Sequence, residues 1–158
     1  EKPLGHDLQS SIQINDEVTV GPQPSEEEIQ RLADDRFRAV VNFRAEGEEE
    51  QPFSPRHEGL KVQAAGMDYL NIPVTVDSLG ADVVDRFRRQ FDNLAKPVYA
   101  HCRSGKRAAA MIMMHLAPGQ GLSGEQALKK AEEIGLEYDS PELAEFIRTY
   151  VDDHGAER

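Results

Sequence analysis

Residues 97–116 read PVYAHCRSGKRAAAMIMMHL, and two elements and a charged loop meet in this stretch. Val98-Tyr99-Ala100 is an apolar run with β-branched and aromatic members, as a short buried strand requires. Ala108 to Leu116 has almost no polar face and is long enough for a helix, which places it centrally in a core. Between them stand His101, the chain's single cysteine at position 102, and Arg103-Ser104-Gly105-Lys106-Arg107. A strand–loop–helix of this composition gathers positive charge at one point. If the loop curls about its centre, its backbone N–H groups point inward, and the following helix adds the positive end of its dipole. Gly105 permits the positive φ that a tight anion loop needs. Arg107, in the first helical turn, can swing back to grip two oxyanion oxygens. Such a field favours the thiolate of Cys102, the form needed for covalent catalysis on an anionic substrate. A cysteine at a strand end is by itself ordinary packing. Its coincidence with glycine and cations at the end of a strand is what points to function.

Working outward, the flanks supply an alternating α/β pattern. SIQINDEVTV alternates as one or two short strands, with a turn at Asn15-Asp16. Ser25 and Glu28 have the spacing of a capping box, so a helix is expected from Glu26 to about Asp34 with Ile29 and Leu32 inward. FRAVVNFR (37–44) reads as a buried strand, RHEGLKVQAAG as a short helix ending at Gly66, and MDYLNIPV (67–74) as another strand. Val83, Val84, Phe87, Phe91 and Leu94 recur at helical spacing. SGEQALKKAEEIGL and SPELAEFIRTYVDDH are helices, the second with proline at its first position. Its inner stripe is Leu143, Phe146, Ile147, Tyr150 and Val151. The pattern gives an α/β domain with a mainly parallel central sheet of four to five strands flanked by helices. In such sheets ligands bind beyond the carboxyl ends of the strands, where Cys102 lies.

At 158 residues the chain has room for one domain. That domain is expected over residues 11–154, after a flexible N-terminus at 1–10 and before a tail at 155–158. Its 29 acidic residues against 18 basic ones give a net charge of −11, which argues against a nucleic-acid backbone as ligand. No apolar run is long enough to span a bilayer. With one cysteine there is no internal disulfide and no Cys-x-x-Cys pair. A lone thiol used as a nucleophile must stay reduced, which favours the cytoplasm, or the periplasm if a signal segment preceded Glu1. His57, His115 and His154 lack metal-ligand spacing, so neither a metal nor a cofactor is expected. His115 reads as a satisfied core histidine and the methionines at 111, 113 and 114 as core filling.

HCRSGKR resembles the signature of the cysteine-dependent phosphatases, in which a His-Cys pair opens a phosphate loop and an arginine closes it. With VGPQPSEEEIQRLADDRFRAVVNFRAEGEE and GMDYLNIPV, it is similar to the phosphatase-like domain of beta-lactamase hydrolase-like (Blh) proteins. The resemblance covers about residues 11 to 116, extendable to 136. It implies a dual-specificity-phosphatase-like fold, with Cys102 as nucleophile, Arg107 as the anion clamp and residues 103–107 as the oxyanion-binding loop. His101 is implied to orient that loop. Asp77, after the strand ending at Val74, stands where dual-specificity phosphatases carry their general acid; a turn or N-cap aspartate serves equally at that position. Arg44, at the end of a neighbouring strand, either attracts anions at the mouth or pairs with the Glu46–Glu50 run.

Two departures bear on the chemistry. Tyrosine and dual-specificity phosphatases place five residues between cysteine and arginine, whereas this chain places four (Arg103, Ser104, Gly105, Lys106). The residue after the arginine is usually serine or threonine and helps expel the thiolate; here it is Ala108, with Ser104 as a substitute. A six-residue Cys-to-Arg loop is also similar to that of rhodanese sulfurtransferases, whose cysteine carries a persulfide. The expected substrate is therefore a small anion, either a phosphate monoester or a sulfane-sulfur donor. A non-catalytic oxyanion-binding module is the third reading. The sequence leaves the oligomeric state open.

Overall fold

The computed structural model describes residues 11–75, 78–133 and 141–155. Five strands form one sheet: β1 (Ile12–Gln13), β2 (Val18–Gly21), β3 (Ala39–Asn42), β4 (Asp68–Asn71) and β5 (Val98–His101). Their spatial order is β1-β2-β5-β3-β4. β2, β5, β3 and β4 run parallel, and β1 pairs antiparallel with β2. The β1–β2 turn is built by Asn15, whose Oδ1 accepts the N–H groups of Glu17 at 2.7 Å and Val18 at 3.1 Å. β5 is central, with His101 in register with Gly21 of β2 on one side and Asn42 of β3 on the other.

Six α-helices cover the sheet among the described residues: α1 (Glu26–Asp34), α2 (Pro55–Ala64), α3 (Ala81–Phe91), α4 (Lys106–Leu116), α5 (Gly124–Glu133) and α6 (Pro141–Asp153). α1 starts at the expected capping box: Ser25 Oγ accepts the Glu28 N–H at 3.1 Å, and Glu28 Oε1 accepts the Ser25 N–H at 2.7 Å. α2 begins one residue earlier than its sequence pattern suggests. Ser54 caps it and Pro55 takes the first position, where a missing N–H costs nothing. α4 also extends further back than its apolar run, to Lys106. Gly105 adopts φ +105° as its N-cap, so the two cations form the first helical turn.

The alternation along the strands sorts the core into two layers. Val98, Ala100 and Cys102 face α3, α4, α5 and α6, in a cluster with Val41, Phe87, Met111 and Ile147. Tyr99 and Val40 face the other side, against Ile29 and Leu32 of α1 and Val62 of α2. One residue step along β5 therefore puts His101 and Cys102 on opposite faces of the sheet. This separation sets up the site: the nucleophile candidate belongs to one layer, and the residue steadying it to the other.

Candidate active site

At the carboxyl end of β5 the chain turns through residues 102–105 into α4. Cys102 is buried, and the Gly105 N–H points at its Sγ at 3.1 Å. Gly105 itself has a left-handed backbone, a conformation costly for any residue with a Cβ. The thiol thus sits at the N-terminus of α4, where the helix dipole favours negative charge. Ser104 and Arg103 are exposed on the rim and Lys106 is half-buried; all three, with Arg107, line a cleft of about 540 Å³. Arg103 forms an ion pair with Glu50.

Arg107 turns back over the loop. Its Nη1 and Nη2 donate to the two carboxylate oxygens of Glu48 at 2.8 and 2.9 Å, and Nη1 also donates to the Val74 carbonyl at 3.0 Å. Burial alone would raise the Glu48 carboxyl above its ordinary 4.5. Hydrogen bonds from Arg107, the Ala45 N–H and Arg44 outweigh it and bring the carboxyl down to about 2. The same pairing raises Arg107 against the opposing effect of its own burial, with the Cys102 side chain contributing in the same sense.

Arg44 is fully buried. Its Nε donates to Glu48 Oε1 at 3.0 Å, its Nη1 to Gln23 Oε1 at 2.9 Å and its Nη2 to the Glu49 carbonyl at 2.5 Å. It is thus paired with the acidic run, and also borders a shallower cavity of about 370 Å³ beside Arg107.

His101 is fully buried behind the loop. Its Nδ1 lies 3.2 Å from the Cys102 carbonyl and its Nε2 2.5 Å from Glu58 Oε2. A carbonyl only accepts, so Nδ1 carries a hydrogen, and one further proton lies between imidazole and carboxylate. Glu58, also fully buried, accepts from Gln23 Nε2 at 2.8 Å and Asn42 Nδ2 at 3.3 Å. His101, Glu58, Gln23, Arg44, Glu48 and Arg107 therefore form one continuous chain of polar contacts. It runs from the residue before the cysteine, behind the loop, to the arginine that closes it. The Gln23 N–H adds a bond to the Arg103 carbonyl at 3.2 Å.

Asp77 lies outside the described residues. On either side of it, Thr75 and Leu79 line the 540 Å³ cleft, and Thr75 and Ser78 are hydrogen-bonded to each other. His115 differs from the expected satisfied core histidine. Its Nδ1 has no partner among the described residues and its ring packs edge-on against Phe91 at 4.8 Å. Burial accordingly lowers its pKa.

Glu58 and Gln23 are the site residues that the sequence reading passed over. The available signal was positional: Pro55, Glu58, Gly59 and Val62 are the buried stripe of α2, so an acid sits where the helical period calls for an apolar residue. A carboxylate there needs a buried partner.

The model of the phosphatase-like domain of the beta-lactamase hydrolase-like protein matches residues 11–119. The chain belongs to that family. The Blh protein of Agrobacterium fabrum is 29% identical over 125 residues, covering 79% of this chain and 28% of the relative. The Xylella fastidiosa Temecula1 protein is 27% identical over 124 residues, again with 28% of its length matched. This Blh phosphatase-like domain thus spans just over a quarter of those curated relatives. A DUF442 protein of Shewanella putrefaciens CN-32, proposed to be a phosphatase, superposes with a TM-score of 0.78 at 22% identity over 98% of this chain and 99% of its own. PTPMT1 bound to PI(5)P gives 0.75 at 20% identity over 93% and 97%. At such identities the likeness establishes the fold, which is that of the dual-specificity and tyrosine phosphatases.

Proposed function

We propose that this Blh domain is a cysteine-dependent phosphatase acting on small phosphate monoesters. The observation carrying the reading is the Gly105 N–H donated to Cys102 Sγ at 3.1 Å, with Gly105 left-handed at the start of α4. It fixes a thiol at the positive end of α4, with Arg107 closing over the loop. The Cys102 thiolate attacks phosphorus while loop amides and Arg107 take the non-bridging oxygens. The P–O bond to the leaving group breaks, and Asp77 donates the proton to the departing oxygen. Water then attacks the thiophosphate and releases phosphate and thiolate. His101 is a positioning residue that acts through the Cys102 carbonyl. A fold neighbour holding a phosphoinositide supports an anionic phosphate as the kind of group the cradle accepts.

Sulfur transfer is the second reading, supported by the four-residue spacing from Cys102 to Arg107 and by Ala108. In that chemistry Cys102 attacks the outer sulfur of thiosulfate, sulfite leaves, and the persulfide passes its sulfur to cyanide.

Parallel turnover of an aryl phosphate, and of thiosulfate with cyanide, separates the two in wild type and Cys102→Ser. Phosphate release that the serine variant loses is the expected result. Thiocyanate formation with a blank phosphate assay would overturn the phosphatase reading, as would phosphate release unchanged by the substitution.

A further inference from the structure

The 540 Å³ cleft at the cysteine loop is much larger than a bare oxyanion needs. It falls within the range of roughly 300–1,000 Å³ typical of sites that bury most of an organic ligand. Its cationic end is formed by Arg103, Lys106 and Arg107. Away from that end its walls are apolar: Met111 and Met114 of α4, Leu143 and Phe146 of α6, and Val74 and Leu79 after β4. Beside Arg107 the shallower cavity is bordered by Glu48 and Glu49 together with Arg44 and Arg103. The cradle thus has one apolar flank and one polar flank whose charges are paired.

We infer that the natural ligand is a phosphate monoester with one anionic head and an apolar aryl or short alkyl body. The body lies across α4 against Leu143 and Phe146. The polar flank gives an apolar body nothing to pack against. Glu142, exposed at the α6 end of the cleft, selects against a second anionic group at the far end of the body.

The α6 wall is supplied by a helix beyond residue 119, where the family match stops. It is anchored rather than loose. Ile147, Tyr150 and Val151 are buried, and the Tyr150 hydroxyl donates to Asp85 Oδ1 at 2.5 Å and accepts from Arg88 Nη1 at 3.0 Å. A Cβ at Gly124 would come within 2.3 Å of the Arg148 carbonyl, so α5 and α6 are in backbone contact there. In the first turns of α6, half-buried Leu143 and Phe146 pack against the core and also line the cleft.

The inference rests on the anion-cradle reading of residues 102–107 but not on turnover, so a binding measurement separates the two. Calorimetry with methylphosphonate and phenylphosphonate compares the same head with and without a body. One methylene in an apolar pocket is worth about 10–200-fold, so phenylphosphonate should bind at least about tenfold tighter. Phe146→Ala should remove most of that preference while leaving methylphosphonate affinity unchanged. Leu143→Ala, at the half-buried start of α6, should do the same by removing apolar wall. Equal affinity for the two phosphonates, no binding of either, or a preference surviving both substitutions would overturn the inference. A preference without aryl phosphate turnover would leave the cleft standing and sink the phosphatase reading alone.

Discussion

Replacing Glu58 by alanine tests whether the cysteine loop is held from behind. The carboxylate receives His101 Nε2 at 2.5 Å, Gln23 Nε2 at 2.8 Å and Asn42 Nδ2 at 3.3 Å, with no water access to Glu58 or His101. Gln23 Nε2 retains the Pro24 carbonyl and Asn42 Nδ2 retains the Tyr69 hydroxyl, so those amides lose little. His101 keeps only its bond to the Cys102 carbonyl and is left with a buried, unpaired nitrogen. Removing one member of a buried pair costs about 3–5 kcal/mol, a large share of the roughly 5–15 kcal/mol that hold a domain folded. For a chain of this size, each kcal/mol moves the melting temperature by about 2–4 °C, so a fall of about 6–20 °C is expected. Glu58→Gln should cost only about 1 kcal/mol. Its carboxamide oxygen still accepts from Gln23 and Asn42, and its nitrogen donates to a neutral imidazole. Chemical denaturation and phosphate-binding calorimetry on the three proteins read both consequences. An alanine variant within about 1 kcal/mol of wild type would refute the anchoring role, and so would a glutamine variant as damaged as the alanine one.

Glu48→Gln removes the charge that braces Arg107, and phosphate binding should weaken about tenfold with little change in fold. Unchanged affinity would mean that Arg107 is oriented without it. The Glu48 carboxyl is lowered from 4.5 to about 2, so its stabilising contribution is complete above about pH 4.5 and is lost as pH falls toward 2. The glutamine variant should lack that acid-side component in a pH series of denaturation midpoints. At alkaline pH, burial, with hydrogen bonding to Asp85 adding, pushes Tyr150 up to about 12, and burial drives Tyr69 and Tyr99 higher still. These phenols stabilise the fold fully below pH 10, and the Tyr150 share fades from there through about 12. An ultraviolet titration with single Tyr→Phe variants should therefore find Tyr69 and Tyr99 silent until the chain unfolds. Either one ionising near pH 10 in folded protein would contradict the burial described.

The sheet and most helix starts were legible because local signals and tertiary demands agree. The Ser25/Glu28 box, the proline at 141 and the β-branched pair at 40–41 each specify their element without help from distant residues. The loop was legible for the same reason, since cysteine, glycine and arginine lie within six positions. What could not be read is what long-range packing decides. Gln23, Glu58 and Glu48 come from three separate connections or helices. Only the β2-β5-β3 order brings them behind one loop, and no periodicity encodes that meeting. The apolar cleft was hidden likewise. Leu143 and Phe146 carry the same inward signal as Ile147 and Val151, and only the placement of α6 turns the first pair toward a cavity.

An acid seated on the arginine of the proposed anion site invites the reading that it blocks the site, and the hydrogen count of the guanidinium decides against it. Arg107 has five N–H bonds. Glu48 takes one from each Nη, and the Val74 carbonyl takes the second on Nη1. Those partners occupy the end of the guanidinium and one side. The remaining side, formed by Nε and the second hydrogen of Nη2, is a parallel pair of donors of the kind that grips two oxyanion oxygens, and the Cys102 side chain is the further group that hydrogen-bonds this arginine. Glu48 fixes the plane of the group while leaving that edge for an oxyanion. Arg44 in turn fixes Glu48 and, through Gln23, reaches the buried pair behind Cys102. In a protein of net charge −11, an acid here lowers the local positive potential and weakens steering of anions from a distance. What it gives in exchange is an arginine that need not be ordered when the anion arrives, which reduces the entropic cost of binding.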